Sequence, residues 1–290
     1  MRRPAPALLA LAVLAACSSA KRPTPPDRRP APSASPPPSR PDGGLAARAS
    51  DGGVDAPDAG AAAPPEPRGI GPYEAPLVGK RKVYYAIPKS KREKTRLIGS
   101  LHGVCNPPGY TCGYWLDEGT SYGIMVCPEG NARCGGVYDP PTWTVGSTQM
   151  EADLERAIAV VEGLQPGELT REGAVLTGFS RGAYAAVEIA KRSPGKWPYL
   201  ILNEADVALE AAELRAAGVR AVALIAGEYG TQVGGERKTA AKLAKQGFRA
   251  RLWVMPKAGH FYSGNIGEIM REAMDFVLAA ESADAGGDGG

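Results

Sequence analysis

Residues 176–186, LTGFSRGAYAA, place one serine between two glycines, after an apolar run and before an alanine-rich stretch. The apolar run predicts a buried β-strand and the alanine-rich stretch predicts a helix, so Ser180 falls at a sharp strand-to-helix turn. Such a turn crowds the strand against the helix, and the positions two before and two after the serine must lack side chains. Gly178 and Gly182 meet that requirement. Glycine is frequent here, at 37 of 290 residues, so the pattern needs support from its context.

That context is an alternation of β-rich runs and helical patterns. The predicted strands cover 82–87, 96–102, 123–127, 174–179, 199–203, 219–225 and 249–255. Predicted helices begin at a Thr148/Glu151 capping box, cover 183–192, 208–217 and 236–246, and end with a core-facing stripe from Ile266 to Val277. The alternation predicts an α/β fold: a mostly parallel sheet with helices on both faces. In such sheets, sites lie outside the carboxyl ends of the strands.

A serine hydroxyl is a weak nucleophile and needs a base within reach. The chain has two histidines. His260 follows the last predicted strand, in the loop MPKAGHFYSG, and so belongs to the same sheet edge as Ser180. Its order after the serine and its glycine-flanked loop favour the base over a surface or packing role.

The other histidine, His102, ends an earlier predicted strand in LIGSLHGVC. A His-Gly pair at that place marks the loop that supplies one oxyanion donor, beside the N–H of the residue after the nucleophile. We therefore predict that the backbone N–H groups of Val104 and Arg181 form an oxyanion hole. His102 itself is predicted to orient the loop.

These motifs give the chain a resemblance to the α/β-hydrolases over residues 73–282. It rests on GFSRG at 178–182, LHG at 101–103, AGH at 258–260, and their order along the chain. The chain is most similar in character to exported esterases related to polyhydroxybutyrate depolymerases and feruloyl esterases. The resemblance implies the α/β-hydrolase fold and a serine hydrolase that works through an acyl-enzyme. Nothing in the sequence implies a cofactor, and no metal site is predicted.

The triad acid departs from the family's pattern. In the family it commonly follows the penultimate strand as glycine, two residues, then aspartate, but here Gly230 stands where that aspartate would be. Glu228 lies in the right loop and is our first choice. Glu204 and Asp206 follow the preceding strand, a location that some family members use, and remain alternatives. Each of the three carboxylates is also compatible with a solvated surface position.

Both ends of the chain differ from this domain. Residues 1–17 combine two arginines, a short apolar run and a lipobox-like end at Cys17, which predict a lipoprotein signal peptide rather than a membrane-spanning helix. Residues 18–70, rich in Pro and Ala, predict a disordered tether, and residues 282–290 a disordered tail. The hydrolase domain is assigned to 71–281. The lipobox resemblance makes Cys17 the predicted lipidation site, with ordinary secretion as the alternative, and Ser18 after it implies the outer membrane of a bacterial cell envelope.

Four further cysteines follow the tether, an even number that indicates two disulfides in an exported chain. Their equal spacing suggests pairing Cys105 with Cys112 and Cys127 with Cys134, although three connectivities are open. A zinc site is the competing interpretation, but structural zinc sites prefer cysteines two to four residues apart. The loops that carry these cysteines are also aromatic, and their aromatic side chains form either a substrate rim or local packing: Tyr110, Tyr114, Trp115, Tyr122, Tyr138 and Trp143.

The sequence therefore predicts a lipid-anchored serine hydrolase whose partners are the membrane and a small-molecule or polymer ester. Its net charge of +3 arises without a basic block interleaved with aromatics, so nucleic-acid binding is not indicated. No protein partner is identified by the sequence. Two alternatives stay open: a non-catalytic hydrolase-like binding protein of the envelope, motivated by Gly230, and a peptidase or thioesterase that uses the same chemistry.

Overall fold

The structure, a computed structural model, describes residues 71–90 and 94–285. The predicted signal peptide with Cys17, the predicted tether and residues 286–290 of the predicted tail lie outside the described residues. None of the described helices combines the length and the apolar character that crossing a bilayer requires.

Strands and helices alternate along most of the described chain. The strands are β1 (Tyr73–Val78), β2 (Arg81–Ala86), β3 (Thr95–Leu101), β4 (Ile124–Pro128), β5 (Ala132–Arg133), β6 (Pro141–Thr142), β7 (Leu169–Phe179), β8 (Tyr199–Asn203), β9 (Ala221–Gly227) and β10 (Arg249–Met255). The helices are α1 (Pro108–Gly113), α2 (Leu116–Tyr122), α3 (Ser147–Leu164), α4 (Arg181–Arg192), α5 (Ala211–Ala216), α6 (Val233–Lys245) and α7 (Ile266–Ala285).

Eight strands form one sheet in the order β1-β2-β4-β3-β7-β8-β9-β10, and β5 pairs with β6 in a separate ribbon. Strand β2 runs antiparallel to its neighbours β1 and β4, whereas the other pairs of the large sheet are parallel. Asn203 pairs with Phe179 on one side and with Ile225 on the other. This register brings the residues that follow β7, β8 and β9 to one edge of the sheet.

Apolar residues cover both faces of the sheet in two core clusters. One contains residues of α3, α4, α5 and α6, including Leu154, Ile189, Leu214 and Leu243. The other contains residues of α1 and α7, including Met270. Strands β8 and β9 are buried along their whole length, which explains why they are almost continuously apolar in sequence rather than alternating. The predicted mostly parallel sheet with helices on both faces is confirmed.

Several element boundaries differ from the sequence prediction. Strand β7 begins at Leu169, five residues before its predicted start, and α7 continues to Ala285, past the predicted end of the domain. The predicted capping box is wrong, because Gly146 is the N-cap of α3, no side chain caps it, and Thr148 lies inside the first turn. Five short elements were not predicted from the sequence: β1, α1, α2, β5 and β6. All of them have six residues or fewer apart from α2, which has seven.

Candidate active site

Ser180 lies at the turn between β7 and α4 with a strained backbone. Its φ is 52° and its ψ is −120°, a conformation that is unfavourable for a residue with a side chain. A Cβ atom on Gly178 would come within 2.3 Å of the Gly182 carbonyl carbon, and one on Gly182 within 2.0 Å of the Leu101 carbonyl oxygen. Both distances are far below contact, so the prediction that these positions must lack side chains is confirmed.

Asn203, at the end of β8, holds this turn in place. Its carbonyl oxygen accepts a hydrogen bond from the Ser180 N–H at 2.8 Å, and its Nδ2 donates to the Gly178 carbonyl at 3.1 Å. The side chain is fully buried. Asn203 was not among the predicted site residues, although a polar residue that ends the apolar run YLIL was a signal for it.

His260 follows β10 and pairs with a carboxylate. Its Nδ1 lies 3.1 Å from Oε2 of Glu204. A carboxylate on Nδ1 fixes the tautomer and leaves Nε2 to exchange protons. The imidazole ring also lies 5.2 Å from the ring of Phe179, the residue before Ser180. The His260 side chain is 44% exposed, so the ring is open to solvent and to a substrate.

Glu204, in contrast, is fully buried and held from several sides. Its backbone adopts a φ of 57°, its N–H donates to the Ile225 carbonyl at 2.8 Å, and its Oε1 accepts from the Gly227 N–H. Burial raises the pKa of the Glu204 carboxyl, while the Gly227 hydrogen bond and the charge of His260 act in the opposite direction. The buried carboxylate therefore has two donors that favour its ionised form.

The prediction that Glu228 orients His260 is wrong. Glu228 is exposed, and its carboxylate accepts a hydrogen bond from the Lys257 N–H at 2.9 Å. The second alternative, Asp206, accepts from the Tyr184 hydroxyl. Of the three candidates it is Glu204 that contacts His260, because it follows β8 directly and its positive φ turns the side chain back over the sheet edge.

The absence of a side chain at Gly230 leaves room for the Glu204 carboxylate. A Cβ atom on Gly230 would lie 3.0 Å from Oε2 of Glu204, the oxygen that contacts His260. The carboxylate from β8 thus occupies the space beside the imidazole that a side chain at position 230 would enter. The carboxylate that contacts His260 therefore follows β8, whereas Gly230 follows β9.

The loop after β3 approaches Ser180 from the other side. A Cβ atom on Gly103 would lie 3.2 Å from the Cβ of Ser180, and Val104 directly follows Gly103 in the chain. Arg181 is the first residue of α4, and the N–H groups of a first helical turn have no intrahelical acceptor. Of the predicted oxyanion donors, Arg181 directly follows Ser180 and Val104 belongs to the loop whose Gly103 approaches it, and their role stays a prediction.

His102 anchors that loop. Its Nε2 accepts a hydrogen bond from the Gly130 N–H at 2.9 Å, and its Nδ1 lies 2.8 Å from the Gly103 carbonyl oxygen. Trp143 stacks on the ring at 5.0 Å and donates its Nε1–H to the His102 carbonyl at 3.1 Å. Burial lowers the pKa of His102 to about 4. These contacts agree with the predicted structural role of His102.

The four cysteines form two disulfides, but the suggested pairing is wrong. Cys105 is bonded to Cys134 and Cys112 to Cys127. Equal spacing misled because Cys112 lies on α1, which packs on β4, where Cys127 is located. The competing zinc interpretation has no support, since each thiol is consumed in a disulfide. Among the described residues, no cluster of His, Cys, Asp or Glu side chains is arranged to hold a metal ion.

The aromatic residues of these loops divide between packing and exposure. Trp115 and Trp143 are buried, whereas Tyr114 and Tyr138 are exposed. Tyr110 stacks on Tyr262 at 5.2 Å with an angle of 4° between the rings, and its hydroxyl accepts from the Tyr262 N–H at 2.9 Å. Because Tyr262 is two residues after His260, this stack ties the cysteine-bearing loops to the histidine loop.

Comparison with known proteins gives structural neighbours only. No protein-family model and no curated protein matches the sequence. The esterase PE8 is 20% identical, with a TM-score of 0.53 over 69% of this chain and 100% of its own. An S-formylglutathione hydrolase from Agrobacterium tumefaciens is 13% identical, with a TM-score of 0.51 over 69% of this chain and 91% of its own. A serine-to-alanine mutant of the feruloyl esterase module from Clostridium thermocellum, complexed with sinapinate, is 11% identical, with a TM-score of 0.53 over 71% of this chain and 86% of its own.

These likenesses, together with the sheet topology, show that the described chain has the α/β-hydrolase fold. The predicted fold class is confirmed. At these levels of identity the neighbours carry the fold alone, and the chemistry has to be argued from the residues of this chain.

Proposed function

We propose that the protein is a serine hydrolase that cleaves carboxylic esters, with Ser180 as nucleophile, His260 as general base and Glu204 as the orienting acid. The observation that carries this proposal is the 3.1 Å contact of His260 Nδ1 with Glu204 Oε2, on the sheet edge where Ser180 sits in a strained turn. Strained backbone and a buried carboxylate are costly, and they are typical of sites where geometry serves catalysis.

The reaction follows from these roles. The Ser180 hydroxyl attacks the carbonyl carbon of the ester while His260 Nε2 takes its proton. The oxyanion that forms accepts hydrogen bonds from the N–H groups of Val104 and Arg181. The imidazolium, stabilised by Glu204, then protonates the departing alcohol, and the acyl group remains on Ser180. Water, deprotonated by His260, then attacks the acyl carbon. The bond between that carbon and Ser180 Oγ breaks, the imidazolium returns its proton to Oγ, and the carboxylic acid leaves.

Glu204 supports a catalytic over a non-catalytic protein. The binding-protein alternative was motivated by the missing aspartate at Gly230, but Glu204 supplies a carboxylate to His260 from the neighbouring strand. A carboxylate that only packed the core would be an expensive choice at a fully buried position. The hydrogen bond to the imidazole of His260 offsets part of the free-energy cost of burying the Glu204 carboxylate.

Exposed aromatic side chains near His260 indicate the kind of ester. Tyr114 is 53% exposed and its ring lies 5.8 Å from that of Tyr262. Phe261, the residue after His260, is 52% exposed. Such surfaces favour an apolar or aromatic group of a small-molecule or polymer ester over a charged one. We therefore propose esters with an apolar or aromatic acyl part as substrates.

A fluorophosphonate probe tests the proposed function directly. The folded protein should react at Ser180, and the Ser180→Ala variant should not react. Ser121→Ala, at an exposed serine of α2, is the matched control and should react like the unaltered protein. Hydrolysis of short acyl esters should disappear in both Ser180→Ala and His260→Ala. A folded protein that neither reacts with the probe nor hydrolyses any such ester would refute the proposal.

We also propose that the protein is exported and held on a bacterial envelope membrane through a lipid on Cys17. The two disulfides of the described domain support export, because disulfides persist in oxidising compartments. The Cys17→Ala variant should leave the membrane fraction and lose the mass of the lipid. Retention of the variant on the membrane would contradict anchoring at this residue.

A further inference from the structure

A second carboxyl group, that of Glu236 on α6, lies behind Glu204. Glu236 is fully buried, and its Oε1 accepts a hydrogen bond from the Ala205 N–H at 2.7 Å. Its Oε2 has no hydrogen-bond partner among the described residues. A buried, half-satisfied carboxyl costs stability, so its presence calls for a reason beyond packing.

The hydrogen bond from Ala205 acts on the backbone of the triad acid. Ala205 immediately follows Glu204, whose φ of 57° is unfavourable without support from its surroundings. Fixing the Ala205 N–H fixes the plane of the peptide bond after Glu204, and with it the direction of the Glu204 side chain. Helix α6 is pressed against this loop, since a Cβ atom on Gly235 would lie 2.4 Å from the Cβ of Asp206.

Burial and the nearby carboxylates raise the pKa of Glu236 and so favour its neutral form. The carboxylates of Glu204 and Asp206 face it from the loop after β8, and Tyr184 faces it from α4. Burial and the nearby charges of Glu204 and Asp206 together raise the pKa of Glu236 to about 9, although the Ala205 hydrogen bond opposes them. Of the two carboxyls, Glu204 is the one that contacts the imidazole of His260, at 3.1 Å.

We propose that Glu236 is a positioning residue: as a neutral carboxylic acid, it holds the Ala205 N–H through its carbonyl oxygen and so aims Glu204 at His260. The proton on Glu236 keeps the negative charge on Glu204, where the imidazolium needs it. This role rests on the proposed function of Glu204 in a catalytic triad. The orienting acid of His260 then depends on two residues, Glu204 in the loop after β8 and Glu236 at the start of α6.

The Glu236→Gln and Glu236→Met variants separate this role from packing, because the two side chains are similar in size and only glutamine keeps a carbonyl acceptor. Glu236→Gln should keep kcat on a short acyl ester within about threefold of the unaltered protein at neutral pH. Glu236→Met should lower kcat about thirtyfold with little change in KM, since misplacing a catalytic group affects the transition state more than binding. The residue that loses its partner in Glu236→Met is Ala205, outside the substrate site.

Thr239 offers a control on the same helix. One turn further along α6, its hydroxyl donates to the Val207 carbonyl at 2.8 Å, so Thr239→Val also removes one hydrogen bond between α6 and this loop. That variant should keep kcat within about threefold, because Val207 is three residues from Glu204. Equal losses in Glu236→Met and Thr239→Val would overturn the positioning role, as would a Glu236→Gln variant as impaired as Glu236→Met.

Thermal stability gives a measurement that is independent of activity. In the folded state Glu236 binds its proton up to about pH 9, and in the unfolded chain only up to about pH 4.5, so its contribution to stability falls as pH rises through that window. Glutamine does not titrate, so the Tm of Glu236→Gln minus the Tm of the unaltered protein should increase from pH 5 to pH 9. If the difference in Tm between Glu236→Gln and the unaltered protein stays constant over this pH range, Glu236 is not a neutral carboxyl in the folded protein.

These readouts separate the failure of this inference from the failure of the proposed function. If the unaltered protein neither reacts with a fluorophosphonate nor hydrolyses esters, the proposed function fails, and the Tm series still decides the protonation of Glu236. If the unaltered protein is active and Glu236→Met keeps full kcat, the proposed function stands and the positioning role is refuted. If Glu236→Met does not fold, the kcat of Glu236→Gln and its Tm series decide the inference.

Discussion

The two histidines of the chain follow strands on opposite sides of β7, and they differ in solvent exposure and in hydrogen-bond partners. His260 is 44% exposed and has a carboxylate, Glu204, on its Nδ1. His102 is fully buried, and its ring nitrogens contact backbone groups of Gly103 and Gly130. One imidazole can take up a proton and have the charge stabilised, whereas the other would carry a charge with no carboxylate to balance it.

The comparison teaches that the partner of an imidazole, rather than its closeness to the serine, indicates its task. Both histidines follow carboxyl ends of parallel strands and both are flanked by glycine. Burial keeps His102 neutral, so that it serves as a fixed donor and acceptor for the loop that carries Val104. Exposure and a buried carboxylate suit His260 for proton transfer.

The largest expected effect comes from removing the carboxylate from the His260 side. Glu204→Gln should lower kcat about 10⁴-fold, because the imidazole loses both its tautomer control and the stabilisation of its charged form. The measurement is ester hydrolysis at neutral pH. Glu228→Gln is the control, since its side chain is exposed and contacts Lys257, and it should change kcat less than about twofold. Equal losses in the two variants would remove Glu204 from the triad.

On the His102 side the expected effect is on stability. His102 has a pKa of about 4 in the folded state and about 6.5 when unfolded, so the unfolded state binds more protons between these values and stability falls as pH drops through that window. The loss should reach about 3 kcal/mol by pH 4. Urea unfolding at pH 7 and pH 4.5 should show this dependence weakened in His102→Gln.

His260→Gln provides the control for that measurement, because it leaves His102 in place. The dependence of the free energy of unfolding on pH should therefore persist in His260→Gln. If it disappears there and persists in His102→Gln, the assignment of the buried neutral imidazole to His102 fails.

A third experiment moves the carboxylate to the strand that the family's pattern uses. In a Glu204→Gln background, Gly230→Asp should regain about a hundredfold in kcat, since its Cβ would lie beside the site of Glu204 Oε2 and a triad carboxylate is worth about 10⁴. With Glu204 unaltered, the same substitution should lower kcat, because the two carboxylates would compete for one space. No recovery in the double variant would show that His260 requires the geometry of β8.

The smallest effect should follow from releasing the loop beside Val104. Cys105 directly follows Val104, so Cys105→Ala/Cys134→Ala frees one end of the predicted oxyanion loop. We expect kcat to fall about tenfold, less than the loss of a donor itself, which costs about 10² to 10³.

The second disulfide is the matched control for that pair. The Cys112–Cys127 disulfide joins positions 15 residues apart and does not adjoin Val104, so Cys112→Ala/Cys127→Ala should cost about 3 kcal/mol of stability while kcat changes less than about threefold. Both measurements are made on the same ester. An equal fall in kcat for the two pairs would show that general loosening, rather than the Val104 loop, is responsible.

The sequence by itself was enough to predict the mostly parallel sheet, the strand-to-helix turn at Ser180 and the position of His260 at the same sheet edge. Hydrophobic periodicity placed most of the strands of the parallel sheet to within two residues, because buried strands leave a local apolar signature. Ser180 could be predicted as the residue of a strand-to-helix turn because that turn requires glycine at positions 178 and 182. Both glycines lie within the same five consecutive residues as the serine. His260 followed from its position after the last strand.

Only the tertiary structure decided which carboxylate contacts His260, which cysteines are bonded, and which groups accept or donate hydrogen bonds at Asn203 and Glu236. Glu204 and Glu228 both follow strands, and what separates them is the register of β8 with β9 together with a positive φ at Glu204. Cysteine pairing depends on which loops α1 and β4 bring together, which spacing does not encode. A carboxyl on α6 has no sequence signal for its hydrogen bond to Ala205, 31 residues earlier, because such contacts exist only after the chain has packed.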